Sequence, residues 1–255
     1  MKNNEFNANN ASLSVDLSEA RQAVKENRFQ DALDLFEIIL KDNPDHIDSL
    51  YLASVSSRYL KNFDESKKFI ERLMIIAPDM GRAYQELGHI YRDMGNIDKA
   101  VIHYRQACEL NPALLASWNS LYKYFVENKN KPAADHAREQ IEKLQSLPST
   151  LLYIDQIMNE GRLGVAETQC RAFLKKHPTH TYAMSLLSEI ANRLGYFDDA
   201  EFLLEKAVEF QPNDGDLRLK YATILRKKQK FAKTMEQVNI LCDQYPDNHT
   251  YQAQK

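Results

Sequence analysis

The chain has 255 residues, 44% hydrophobic and 27% charged, with a formal net charge of −3; it carries enough apolar side chain for a core and no basic surplus of the kind that marks nucleic-acid binders. No apolar run is long enough to span a bilayer, and the opening MKNNEFNANNAS lacks the apolar core of a signal peptide, so a cytoplasmic protein that binds neither nucleic acid nor membrane is expected. Cys108, Cys170 and Cys242 lie far apart inside apolar helical patterns and read as small buried hydrophobes, not as redox or metal groups.

Residues 1–12, rich in Asn, read as a disordered tail. From residue 13 onward prolines set a period. Pro44, Pro78 and Pro112 are 34 residues apart, as are Pro178, Pro212 and Pro246, with a slip of two between the series. This phasing divides the chain into seven units, 13–46, 47–80, 81–114, 115–146, 147–180, 181–214 and 215–248, the fourth two residues short. Each unit carries two stretches of helical periodicity with a turn between them and a proline-marked turn at its end. Twelve residues before the proline position stand Ala32, Ser66, Ala100, Ala134, Ala166, Ala200 and Thr234. Twelve residues earlier again stand Ala20, Ser54, Gly88, Ser188 and Ala222, so small residues face each other across each helix pair and let the backbones approach. Tyr122 and Ile154 break that rule in the irregular middle of the chain, and Arg138 stands where a large apolar residue is usual. Residues 249–255 read as the start of a further helix, cut short, which is the expected mark of a piece of a longer protein.

The third unit, GRAYQELGHIYRDMGNIDKAVIHYRQACELNPAL, resembles the tetratricopeptide repeat (TPR) through Tyr84, Leu87, Gly88, Tyr91, Ala100, Tyr104, Ala107 and Pro112. The resemblance extends over residues 13–248. It implies an all-α fold, a right-handed superhelical solenoid of about seven helix-turn-helix units (an alpha-alpha superhelix), with the first helix of each unit lining a concave groove. Such a fold supplies extended surface with no inherent pocket for chemistry, so a protein-binding scaffold is expected.

Family geometry places positions 2, 5, 6, 9, 12 and 13 of each first helix on the groove. In the first two units these include Leu17, Arg21, Tyr51, Leu52, Val55, Arg58 and Tyr59. The third and fourth add Arg82, Gln85, Glu86, His89, Arg92, Asn119 and Lys123. The last two add Tyr182, Asn192, Arg193, Lys220, Thr223, Arg226 and Lys227. Over all seven units these positions hold ten Lys or Arg against seven acids. The lean suggests an extended or helical peptide ligand of acidic character. A chaperone-type carboxylate clamp is not matched, because its positions read Leu17, Arg21, Leu52, Arg82 and Glu86.

No catalytic set, metal site or cofactor loop can be singled out. His177 and His180 straddle a proline turn, and Gly161 and Gly164 form no phosphate loop. The chain is therefore read as non-enzymatic. Residues 173–208, FLKKHPTHTYAMSLLSEIANRLGYFDDAEFLLEKAV, resemble the repeat region of bacterial TPR-sulfotransferase proteins. That resemblance implies an alternative in which the repeats recruit a substrate for catalysis elsewhere in a longer protein. Self-association through an uncapped C-terminal end is a further expectation.

Overall fold

The computed structural model of the protein describes residues 17–246 and Gln252. The tail expected over 1–12 and, Gln252 apart, the helix start expected over 249–255 lie outside the described residues. Among the described residues the chain is all-α, as expected, with fourteen helices and no strand. They are α1 (Leu17–Lys25), α2 (Phe29–Asp42), α3 (Ile47–Tyr59), α4 (Phe63–Ile76), α5 (Gly81–Asp93), α6 (Ile97–Leu110) and α7 (Leu115–Glu127), then α8 (Lys131–Gln145), α9 (Ser149–Asn159), α10 (Leu163–Lys176), α11 (Thr181–Arg193), α12 (Phe197–Phe210), α13 (Gly215–Lys227) and α14 (Phe231–Gln244).

The helices divide between two compact bodies, residues 1–144 and 145–255. In the N-terminal body each helix from α1 to α6 packs on the next, and first helices also touch one another, α1 on α3 and α3 on α5. In the C-terminal body α9 to α14 pack in sequence and α9 touches α11. Apolar faces drive this stacking: Phe36, Leu50, Ile70 and Ile90 are fully buried in one body, Leu151, Ile157, Ile190 and Leu225 in the other.

The three residues between paired helices follow one path in all seven pairs. The middle residue has positive φ: 58° at Asn27, 63° at Lys61, 80° at Gly95, 56° at Lys129, 78° at Gly161, 84° at Gly195 and 57° at Gln229. The amide after it reaches back five residues, as Asn96 does to the Tyr91 carbonyl at 2.8 Å and Asn62 to Ser57 at 2.8 Å. Each turn thus satisfies carbonyls that the helix end leaves open.

Close approach within a pair is visible where small residues were expected. The buried hydroxyls of Ser54 and Ser66 lie 3.1 Å apart, and each donates to the other's backbone carbonyl, at 2.9 and 2.8 Å. At Gly88 an added Cβ would sit 2.6 Å from Cε1 of Tyr104, whose ring is buried. Gly88→Ala is therefore expected to destabilise by about 1–3 kcal/mol, despite the roughly 1 kcal/mol that alanine gains in helix propensity. Urea unfolding of the purified variant reads this, and an unchanged midpoint would show the ring free to move aside.

The irregular middle resolves to α9. First helices begin at 47, 81, 115 and 149, then at 181, and α9 has eleven residues where α7 and α11 have thirteen. The two-residue shortening that the prolines led us to place in the fourth unit is thus taken up in α9. Pro112 and Pro178 bracket the loss without locating it, and α8 runs on to Gln145 before Pro148 begins the next helix. Ile154, at a position that is small in every unit but this one and the fourth, is fully buried. Arg138 is exposed on α8 and donates to Asp135 at 2.9 Å.

Candidate functional site

The sequence-derived groove residues fall on first helices, and the structure shows what each of them touches. In the N-terminal body two of the arginines pair with carboxylates on the next first helix. Arg21 of α1 pairs with Asp48 of α3. Arg58 of α3 is only 8% exposed; its Nε donates to Glu86 Oε1 at 2.6 Å and its Nη1 to Asp93 Oδ2 at 2.9 Å, both on α5. Glu86 itself is 2% exposed. Arg92 adds two bonds to Asp93 Oδ1, at 2.9 and 2.8 Å. Burial acts to raise the Asp93 carboxyl, but the Arg92 and Arg58 bonds outweigh it and hold its pKa below the usual value.

His89 belongs to the same cluster. Its Nδ1 lies 2.7 Å from the Tyr104 hydroxyl and 3.3 Å from Arg92 Nη1, so that nitrogen is an acceptor. Burial, with Arg92 and Arg58 nearby, pushes the imidazole down to about 4. The ring is neutral at neutral pH, with its Nδ1 held as an acceptor in a polar cluster.

The remaining N-terminal candidates make a mixed surface. Leu17, Tyr51 and Leu52 are half-buried against the core, and Val55 is half-buried beside them. The Arg82 guanidinium lies 4.5 Å over the Tyr51 ring. Tyr59 is 54% exposed, stacked on Phe29 at 4.3 Å with the Arg58 guanidinium 4.6 Å from its ring. Gln85 accepts from Ser117 at 3.0 Å, while Asn119 and Lys123 are exposed, the latter 4.0 Å from Glu127.

In the C-terminal body the same bridging recurs with more neutral partners. Tyr182 donates to Asp155 at 2.6 Å, and Asn159 donates to the other carboxylate oxygen at 2.8 Å. Burial raises the pKa of Asp155, only partly offset by Tyr182, Lys220 and Asn159. Arg193 donates to Glu189 at 2.9 Å, to the Met158 carbonyl at 3.2 Å and to Asn159 at 3.2 Å. Lys220 reaches Ser185, and Lys227 reaches Asn192, each at 2.8 Å. Thr223 donates to the Leu219 carbonyl on its own helix, and Arg226 is exposed.

These contacts have a sequence signature that the repeat reading missed. Partners lie 27–28 residues apart (Arg21 with Asp48, Arg58 with Glu86, Tyr182 with Asp155) or 34–35 apart (Arg58 with Asp93, Arg193 with Asn159, Lys220 with Ser185, Lys227 with Asn192). One repeat, or one repeat less two helical turns, brings them side by side. Opposite charges at those offsets were legible; charges counted position by position were not paired.

The histidines 177 and 180 also find roles. His180 Nδ1 accepts the Ala183 amide at 3.3 Å at the start of α11, and the His177 ring lies 4.6 Å from Phe173. Burial pushes the Cys108 and Cys170 thiols up to about 12. Among the described residues no group of three His, Cys, Asp or Glu side chains could hold a metal ion, and no helix is long and apolar enough to cross a membrane.

Family models described as tetratricopeptide repeat match residues 17–80, 81–114 and 182–214, together just over half of the chain. Among curated proteins, anaphase-promoting complex subunit 7 of mouse and of human are each 22% identical over 227 residues, 88% of this chain and 40% of the relative. Human tetratricopeptide repeat protein 13 is 21% identical over 153 residues, 58% of this chain and 18% of the relative. The chain thus spans about two fifths or less of the relatives it matches. Among solved structures, Naa15/Naa10 bound to HypK is similar with a TM-score of 0.45 and 18% identity, covering 93% of this chain and 37% of that one. A TPR protein from Cytophaga hutchinsonii gives 0.42 and 15%, covering 94% and 99%.

Proposed function

The chain belongs to the tetratricopeptide repeat family, and on that premise we propose that it is a non-catalytic scaffold, cytoplasmic, which holds an extended or helical segment of a partner protein along its first helices. The matching models describe a repeat, a fold that supplies extended surface. The observation that supports this reading is the α3 strip of the N-terminal body: Tyr51, Leu52 and Val55 half-buried, Tyr59 mostly exposed, and both tyrosine rings stacked beneath guanidinium groups. Rings fixed in this way offer apolar contact area at little further entropy cost, which is the composition of binding hot spots.

Peptides selected from a displayed library on the full chain test it. The Tyr51→Ala/Tyr59→Ala variant is expected to bind the selected peptides at least about tenfold more weakly by calorimetry, with an unchanged circular dichroism spectrum. Equal affinity would reject the strip as the binding surface. Light scattering on the same samples reads self-association, which is proposed to run through the C-terminal end and not through this strip. The acidic preference of the ligand is the finer part of this proposal. In the N-terminal body Arg21, Arg58 and Arg92 already hold carboxylates of their own chain, so an acidic ligand finds its cations elsewhere. The alternative, substrate recruitment for a sulfotransferase, rests on the resemblance of residues 173–208, and the reading frame beyond Lys255 decides it.

A further inference from the structure

The C-terminal body carries two ammonium groups of a different kind. Lys220 and Lys227 are both exposed on α13, and among the described residues their hydrogen-bond partners are the neutral oxygens of Ser185 and Asn192 on α11. An ammonium has three donors, so each keeps capacity for an anion. Two of the nearby acids are already held by other groups. Glu189 accepts from Arg193, and Asp155, whose field reaches Lys220, accepts from Tyr182 and Asn159. Asp216 stands four residues before Lys220, in the first turn of α13. Arg193, next to Asn192 on α11, adds positive charge partly offset by Glu189.

Seven residues separate the two lysines, two helical turns or about 10.5 Å along α13. Their bonds to α11 hold both side chains over the seam between the helices, so part of the ordering cost of binding is already met. We infer that the α11–α13 face grips two carboxylate side chains about 10 Å apart on a partner segment, through Lys220 and Lys227, with no use of the segment's terminal carboxylate. One terminal carboxylate cannot span that distance. Acids seven apart on a helix do so, as do acids three apart in polyproline II geometry, at about 9.3 Å. The inference rests on the scaffold reading above and names the chemistry of the ligand on one part of that surface.

The test uses the full chain and two fluorescein-labelled twelve-residue probes, polyglutamate and polyglutamine, both acetylated and amidated, followed by fluorescence anisotropy. Polyglutamate is expected to bind at least tenfold more tightly than polyglutamine, and Lys220→Gln/Lys227→Gln to remove that difference. Lys206→Gln/Lys233→Gln, an equal loss of charge on α12 and α14, is expected to preserve it. No preference for polyglutamate, or equal loss in both double variants, would overturn the inference. If it falls while library-selected peptides still depend on Tyr51 and Tyr59, the scaffold reading stands without it. If that dependence is absent as well, both readings fall.

Discussion

Glu86→Ala is expected to destabilise the protein by about 3–5 kcal/mol, the cost of stranding a buried charge. Arg58 is 8% exposed and Glu86 2%, and they are joined at 2.6 Å across α3 and α5. Burial would pull the Arg58 guanidinium down, but Glu86 and Asp93 hold its pKa above the ordinary value; without Glu86 that support is reduced, yet a guanidinium is basic enough to keep its proton. Asp93 alone then faces it, from a position open to water. Urea denaturation of the variant measures the loss, and a change below about 1 kcal/mol would mean that the pair behaves as a surface salt bridge. The double variant Arg58→Met/Glu86→Leu separates pairing from packing. Replacing both charges with apolar groups is expected to cost far less than Glu86→Ala, because a buried pair gains little net stability over a hydrophobic one.

Ile154→Ala is the second large effect, at about 2–5 kcal/mol. The repeat pattern alone assigns this position a small residue, which would make alanine harmless or helpful. In the structure the side chain is fully buried in a cluster with Leu151, Ile157, Met158, Ala166 and Cys170. Removing it leaves a cavity, since the cluster draws on three helices and cannot collapse as one. A thermal unfolding midpoint equal to that of the parent would restore the small-residue reading.

What the sequence made legible was whatever repeats on the backbone. Proline spacing and the small-residue pairs Ser54 with Ser66 and Gly88 with Ala100 located helices and their close approaches, but that Gly88 makes room for the Tyr104 ring shows only in the fold. The shortening within α9 was harder, because prolines mark the ends of repeats and say nothing about where residues are lost between them. The candidate surface was legible only as positions. Arg58 and Tyr59 are adjacent in sequence, yet one is buried in an ion pair and the other is mostly exposed. Charge counts gave both cationic ends of the chain the same weight, whereas their chemistry differs. Arg58 meets carboxylates on the next first helix, and Lys220 and Lys227 meet a hydroxyl and an amide on the previous one.

The seven positive-φ turns bear on how such a chain changes its length. Because Lys61 and Gly95 occupy equivalent backbone, removing the 34 residues from one to the other joins matching geometry and leaves the path of the chain intact. At the level of the main chain the repeats are interchangeable parts, open to duplication or excision. The ion pairs impose the opposite rule: the same excision deletes Glu86 and Asp93 and orphans Arg58. Excision is therefore expected to cost more at α3–α5 than at α11–α13, where the Lys227 ammonium meets the neutral side chain of Asn192.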